Sequence, residues 1–521
     1  MQTVNRSPAS LDRGAATQIV VLMVLAAAVR LWLAPRYFGW EEGDYGNLMM
    51  IEEVLESGFT WFRASHMPGW YALGAVARAI GGDGTRWPAL LMTLLFSVVS
   101  VGLAAAIGRR VAGASAAWLV GLVLVIQPEM ALYGASTLRA PVYAAFGLAG
   151  LWVLLQGSRA GFALTAVAFL TRMEGFFVFY APAAWTWWRE RGQGLRSLLP
   201  GLLALLGVVA AWQLYLVVGL QERAPFWSVV AGQNIPLSDG LLPFVRGGVE
   251  TAWHLLTWTL PRKVGWAVLV LAGLGAVAAL RGVGRPGARA VLAYALFGLG
   301  LWVGEGFLAQ HEPNHNLYWS WLLPAVPPLV LLAGIGWAYL AERLPSRRLQ
   351  VGAVVLALLS VAPAYANEVR YQMDRSAAWY RPQLELARWL ETHGRPGAGM
   401  VLGGIPEVWI QRQGHPFRVS AWWFLPQRLK HEPPEAFGRF LVDQRIDYLM
   451  WFVEEWTEAP AIAPYLADGQ ATKVGPAALT PVDREDGYGW ILYVVTRPGE
   501  APPPAPPAYG RGAPGPGWSG T

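Results

Sequence analysis

Long apolar runs separated by short polar segments fill the first two thirds of the chain. Their spacing predicts membrane-spanning helices near 17–35, 88–107, 114–131, 141–157, 198–219, 264–280, 290–308, 318–341 and 350–366. A hydrocarbon core about 30 Å thick needs roughly 20 residues of helix rising about 1.5 Å each, and these nine runs come near that length. The first follows a polar stretch and lacks a small-residue cleavage site, so it reads as an uncleaved span. Between 157 and 198 the pattern differs: residues 160–170 and 175–188 are apolar but separated by Thr171-Arg172-Met173-Glu174-Gly175. About 12 residues of helix reach only ~18 Å, which predicts a short helical hairpin that enters and returns on one side, for roughly eleven helices in all.

Beyond 366 the periodicity changes. Arg381–His393 and Pro434–Gln444 read as helices, and Gly399–Gly403, Tyr448–Phe452 and Trp490–Thr496 as short strands, which predicts a small α/β domain over 367–497. It carries no nucleotide-phosphate loop or nucleophile motif, so its reading stops at acceptor binding or a structural lid. From Pro498 to Thr521 the chain is rich in Pro, Gly and Ala and is predicted to be disordered.

Composition agrees with the apolar runs. Apolar residues make up 55% of the 521 and charged ones 14%, against about 25% charged in soluble domains. That excludes an ordinary soluble enzyme, a disordered chain and a collagen-like one. The net charge of +6 looks like a nucleic-acid signal until its distribution is read. With a cytoplasmic N-terminus, the inner segments from Arg6 to Arg348 hold 14 arginines and only three acids, Asp12, Glu190 and Glu342. This is the positive-inside bias of a multi-pass protein. It predicts an extracytoplasmic C-terminal domain and no nucleic-acid partner; the expected location is a bacterial cytoplasmic (inner) membrane. The chain has no cysteine, so disulfides, thiolate nucleophiles, Cys-ligated zinc and iron–sulfur clusters are excluded.

Candidate chemistry gathers in the first outer loop, residues 38–87. It opens Trp40-Glu41-Glu42-Gly43-Asp44-Tyr45, three carboxylates directly after a span. Tyr45, Leu48, Ile51, Leu55 and Phe59 then recur at helical spacing, with Glu52, Glu53 and Glu56 on other faces, an amphipathic helix suited to the interface plane. A carboxylate at the lip of a membrane cavity can take a proton from an attacking hydroxyl or amine. The same cluster also suits a solvated helix start favoured by the helix dipole. Farther along, Pro68 and Gly69 predict a turn into a second helix. His66 and the arginines nearby, Arg63 and Arg86, are candidates for a phosphate or pyrophosphate, with interfacial anchoring the alternative for Arg63 and Trp70.

Four ionisable groups interrupt apolar sequence: Glu129 after Pro128, Arg139 before Pro141, and Arg172 with Glu174 at the hairpin tip. At the bilayer centre each would cost about 2.5–3.5 kcal/mol, so they are expected to face a cavity, one another or the interface. Residues 311–315 spell His311-Glu312-Pro313-Asn314-His315, the letters of the zinc-protease motif. That motif needs both histidines on one helical face, and Pro313 breaks the turn. The segment therefore reads as a loop at the cavity mouth, with His315 a polar contact.

Taken in order, Glu41-Glu42-Gly43-Asp44-Tyr45, Leu55-Glu56-Ser57-Gly58, His66-Met67-Pro68-Gly69-Trp70-Tyr71, Arg86-Trp87-Pro88, Gly108-Arg109-Arg110-Val111-Ala112-Gly113, Leu170-Thr171-Arg172-Met173-Glu174-Gly175 and Trp321-Leu322-Leu323-Pro324-Ala325 resemble segments of the GT-C membrane glycosyltransferases. The branch is that of the protein mannosyltransferases and lipid A aminoarabinose transferases, and the likeness covers most of 17–366. The resemblance implies an α-helical polytopic membrane protein that uses a polyprenyl-phosphate-linked sugar donor and a lipid, glycan or protein acceptor among membrane lipids. Its first-loop carboxylate is implied to be the catalytic base, drawn from Glu41, Glu42 and Asp44; Glu41 stands where the family has Asp. Glu129 matches a second outer carboxylate, and Arg139 or Arg172 a phosphate holder. Tyr45, His66, Arg86, Glu174 and His315 complete the candidate substrate-binding set. A divalent cation is left open, since some members of the class use one and others do not.

The rival reading is a transporter or flippase, because intramembrane charges also mark transport pathways. It predicts an inverted repeat, which the sequence does not display. A third reading is a transferase-like chain that has lost activity through the Glu for Asp exchange.

Overall fold

The structure is a computed structural model that describes residues 13–37, 44–60, 67–81, 87–172, 174–191, 199–219, 241–282, 286–308, 322–344, 346–395, 397–402, 418–421, 432–452, 461–466, 469–485 and 490–507. The chain divides into two units: residues 1–42, 50–81 and 87–370 form one, and 43–49, 82–86 and 371–521 the other.

The first unit is helical. Four described helices are long and apolar enough to cross a membrane, Arg13–Leu33, Trp87–Ala112, Ala288–Phe307 and Arg348–Asp374, with a fifth crossing if the bent pair Leu242–Val264 and Trp266–Leu280 counts as one. Ala114–Ile126, Ala140–Leu155, Ala160–Thr171 and Val326–Ala341 are apolar but shorter. The nine apolar runs therefore correspond to fewer full-length helices, and local chemistry explains why. The run 114–131 stops at Ile126 because Pro128 cannot donate to the turn before it, and a six-residue helix, Pro128–Tyr133, follows. Carbonyls released at such a break need donors inside a bilayer. Arg30, fully buried, supplies them: its NH1 donates to Val125 O at 3.3 Å, its NH2 to Leu124 O at 3.3 Å and Met130 O at 3.1 Å, and its Nε to Ser97 Oγ at 2.7 Å.

Around this centre the helices pack through small residues, as membrane helices do where little apolar gain separates protein from lipid contact. Helices Trp266–Leu280 and Val326–Ala341 approach so closely that a Cβ on Gly275 would collide with Leu332 O, and one on Gly336 with Leu271 O. Large apolar side chains on the outside, such as Val24 at 61% and Val270 at 61% exposure, leave a lipid-facing surface. The chain bends 108° between Leu242–Val264 and Trp266–Leu280. Gly265 takes the bend at φ +89°, and a Cβ there would lie 2.5 Å from Val361 Cγ1.

The 160–188 segment breaks where the sequence predicts. Ala160–Thr171 is helical, Arg172 is extended at φ −152°, and a wide helical turn over Phe176–Tyr180 leads into Ala181–Arg191. Gly175 folds back tightly enough that a Cβ would meet Phe169 N at 2.7 Å. The helix predicted over the last run, 350–366, extends much farther, from Arg347 to His393 without interruption.

The second unit is a six-stranded sheet of order β2-β1-β3-β6-β5-β4, with β1 at Gly399–Leu402, β2 at Arg418–Ala421, β3 at Ile446–Phe452, β4 at Thr472–Val474, β5 at Ala477–Glu485 and β6 at Trp490–Thr496. β1 is parallel to β2 and β3, and the other pairs are antiparallel. Its core gathers Trp451, Tyr493, Phe437, Leu441 and Leu466. Residues expected to be disordered from Pro498 are held on this unit as far as 507: Tyr448 donates to Pro504 O at 2.9 Å and Arg395 to Ala501 O at 2.6 Å. Asp447 lies buried 3.2 Å from Arg497, which also pairs with Glu500 at 2.7 Å. Burial raises the Asp447 carboxyl above its ordinary range, while the hydrogen bond from Arg497 lowers that of Glu500.

Candidate functional site

The first-loop helices form as the sequence predicts. Asp44–Glu56 begins at the last of the three clustered acids, with Tyr45 in its first turn, and Pro68–Gly81 begins at the turn-forming proline. Proline in the first helical position costs nothing, because that N–H has no helical partner anyway. Leu48 and Ile51 of the expected apolar stripe are buried, with Val54 beside them, whereas Leu55 is half-buried and Phe59, beyond the helix end at Glu56, is 41% exposed. Glu52 is not on a solvated face, however. It is buried against Arg78 of the facing helix, whose Nε donates to it at 2.6 Å. The stripe alone could not show this, since the neutralising arginine sits 26 residues away. The second helix starts against the hairpin: a Cβ on Gly69 would lie 2.8 Å from Leu170 O. The turn at Pro68 and Gly69 is thereby fixed beside the segment carrying Arg172.

Besides the Glu52–Arg78 pair and Arg30, two further clusters of charged side chains are buried among the described residues of the helical unit. In the first, Arg172 NH2 pairs with Glu174 Oε1 at 2.9 Å, and the arginine side chain is only 3% exposed. Arg139, at the start of Ala140–Leu155, adds its charge to Glu174. Glu305 and Tyr143 lie close enough to feel the charges of both Arg172 and Glu174. The Tyr143 hydroxyl and Glu305 Oε2 have no hydrogen-bond partner among the described residues, and a buried polar atom left so costs about 1–3 kcal/mol. Tyr143 is held by Phe179, ring edge to face at 4.8 Å. Two guanidinium groups, two carboxylates and a phenol are thus brought near one another from three segments, the start of Ala140–Leu155, the 172–174 break and the end of Ala288–Leu308, which suits a ligand carrying both an anionic group and hydroxyls.

In the second, Lys263 Nζ donates to Glu368 Oε1 at 2.6 Å and pairs with Glu129 Oε1 at 3.3 Å, all three side chains being under 5% exposed. Gln127 donates to the other Glu129 oxygen, and Arg262 stands 3.7 Å from Glu368. Both Glu129 oxygens are therefore engaged by the protein itself. The Gly265 bend places Lys263 here, and Tyr365 donates to the neighbouring Val264 carbonyl.

Of the residues singled out from sequence, the structure brings Arg139, Arg172 and Glu174 together and sets Glu129 in the lysine group. Asp44 and Tyr45 are placed by their backbone at the start of a helix. Glu41, Glu42, His66, Arg86 and His315 lie outside the described residues. Sequence reasoning passed over Tyr143, Lys263, Glu305 and Glu368. The rarity of lysine, three in the chain, and acids at the ends of apolar runs were the available signals. Among the described residues no three His, Asp or Glu side chains converge to hold a metal ion.

The fold is that of the GT-C glycosyltransferases. No protein-family model and no curated protein matches the sequence. Among solved structures, ArnT from Cupriavidus metallidurans in the apo state is similar at TM-score 0.55 and 16% identity, over 92% of this chain and 98% of that one. The same protein bound to undecaprenyl phosphate is similar at TM-score 0.50, with the same identity and coverage. The Archaeoglobus fulgidus oligosaccharyltransferase in complex with Zn and sulfate is similar at TM-score 0.54 and 13% identity, over 86% of this chain and 71% of that one.

Proposed function

We propose that the chain is an integral membrane glycosyltransferase that moves a sugar from a polyprenyl-phosphate donor to a lipid, glycan or protein acceptor. The outer face of the cytoplasmic membrane is the proposed location, with the sheet unit outside. The observation that carries this reading is the end-to-end likeness to ArnT, a protein also solved with undecaprenyl phosphate bound. The reaction is an inverting displacement. An acceptor hydroxyl attacks the anomeric carbon and gives its proton to a first-loop carboxylate, Glu41, Glu42 or Asp44. The bond from that carbon to the phosphate oxygen breaks, and polyprenyl phosphate departs with the electron pair. Arg172 and Arg139 stabilise the departing phosphate, and Glu174 holds Arg172 in place. Tyr143 and Glu305 receive sugar hydroxyls. Glu129, bound by Lys263 and Gln127, supports the site's shape and takes no part in the transfer.

Transfer of radiolabel from a polyprenyl-phosphate sugar by purified protein with membrane extract tests the base assignment. A general base contributes roughly 10²–10⁴-fold, so one of Glu41→Gln, Glu42→Gln and Asp44→Asn is expected to lose at least about 100-fold in kcat. Equal transfer by wild type and all three variants would refute the assignment.

A further inference from the structure

The helical unit also contains a cavity away from the charged groups above, at the end that carries Arg110, Arg281 and Arg289. Its volume is about 290 Å³, near the bottom of the roughly 300–1,000 Å³ usual for small-molecule sites. One wall is aliphatic, formed by Leu151, Leu154 and Leu155 at the end of helix Ala140–Leu155. Thr186 and Tyr294 face them from two other helices. Tyr294 is fully buried, and neither its hydroxyl nor that of Thr186 has a hydrogen-bond partner among the described residues. Two unmet hydroxyls facing one cavity are costly unless a polar ligand meets them.

Arg110 forms the rim. It is exposed, and its NH2 donates to Leu155 O at 2.9 Å, which holds the guanidinium over the aliphatic wall. On the helix that carries Thr186, Trp185 and Trp188 are exposed at 46% and 38%. Exposed tryptophans flanking apolar helices sit at headgroup depth. A cation at the rim, hydroxyls inside and an aliphatic wall beside them suit an amphiphile with one anionic head. The space is too small for a lipid-linked sugar.

We propose that this cavity binds the headgroup phosphate of an anionic membrane lipid. Arg110 pairs with the phosphate, Tyr294 and Thr186 donate hydrogen bonds to it, and an acyl chain lies along Leu151 and Leu154. The aliphatic wall distinguishes a lipid from free phosphate, which would gain nothing from it.

The test is binding of fluorescent phosphatidylglycerol to the detergent-purified full-length protein, with phosphatidylcholine as the zwitterionic control. Wild type is expected to bind phosphatidylglycerol at least about five-fold more tightly than phosphatidylcholine. Arg110→Gln should lose about five-fold and Tyr294→Phe, which removes a single oxygen, about ten-fold. Arg281→Gln, whose side chain does not line the cavity, should bind as wild type. The proposal is overturned by equal binding of the two lipids, by unchanged binding in both cavity variants, or by an Arg281→Gln loss as large as that of Arg110→Gln. Displacement of the lipid by excess inorganic phosphate would overturn the lipid as occupant.

Discussion

Lys263 is one of three lysines in the chain, and it joins two carboxylates that lie far from it in sequence. Glu368 is 105 residues away, yet the two side chains meet at 2.6 Å inside the helical unit. Removing one partner of a buried ion group leaves the others without compensation, at about 3–5 kcal/mol. Lys263→Met is therefore expected to destabilise the protein by about that much, and Lys263→Met with Glu368→Gln by less. Thermal unfolding followed by tryptophan emission checks the order; equal stability of wild type and Lys263→Met would show that the lysine group does not hold the fold. Glu129 was legible because it interrupts apolar sequence, as Arg172 and Glu174 do. Lys263 and Glu368 were not, because each sits at the edge of an apolar run, where a charge normally marks the membrane surface. Only the fold shows that both turn inward.

Elements were legible where hydropathy and backbone agree. The strands predicted at 399–403, 448–452 and 490–496 are present within a residue or two, and so is the helix at Pro434–Asp443. β2, β4 and β5 were passed over, being short or polar. The helix over Arg347–His393 shows the opposite mismatch, since hydropathy reports the end of apolar sequence and not the end of backbone hydrogen bonding. The bend at Gly265 had no hydropathy signal at all, and it is what delivers Lys263. Its positive φ and the 2.5 Å approach to Val361 Cγ1 both exclude a side chain. Gly265→Ala is expected to cost about 1–3 kcal/mol. Val361→Ala in the same chain would relieve only the crowding, not the backbone strain. Gly207→Ala, on a helix where a Cβ meets nothing within 4 Å, should be neutral or gain up to about 1 kcal/mol from helix propensity. The same unfolding measurement compares them, and a Gly265→Ala no less stable than Gly207→Ala would remove the bend from the account.

At the scale of the whole molecule, the scarcity of charge carried most of the reading. Apolar runs and the placement of arginine predict a multi-helix membrane chain followed by a small α/β unit. The described helices and sheet form such a chain, and ArnT matches it over 92% of its length. The order of loose motifs pointed to the same fold, although no single motif was specific. What the sequence did not disclose is which distant charges meet, because a membrane core gives every buried ion a partner from whichever helix the packing brings near. Chemical transfer from a lipid-linked sugar is read out by reconstituting the protein into liposomes with radiolabelled polyprenyl-phosphate sugar and membrane acceptors. If sugar is transferred, free polyprenyl phosphate appears in step with a labelled acceptor, and Arg172→Gln slows both. Labelled donor that crosses or accumulates unchanged, with no polyprenyl phosphate released, would contradict it and establish transport instead.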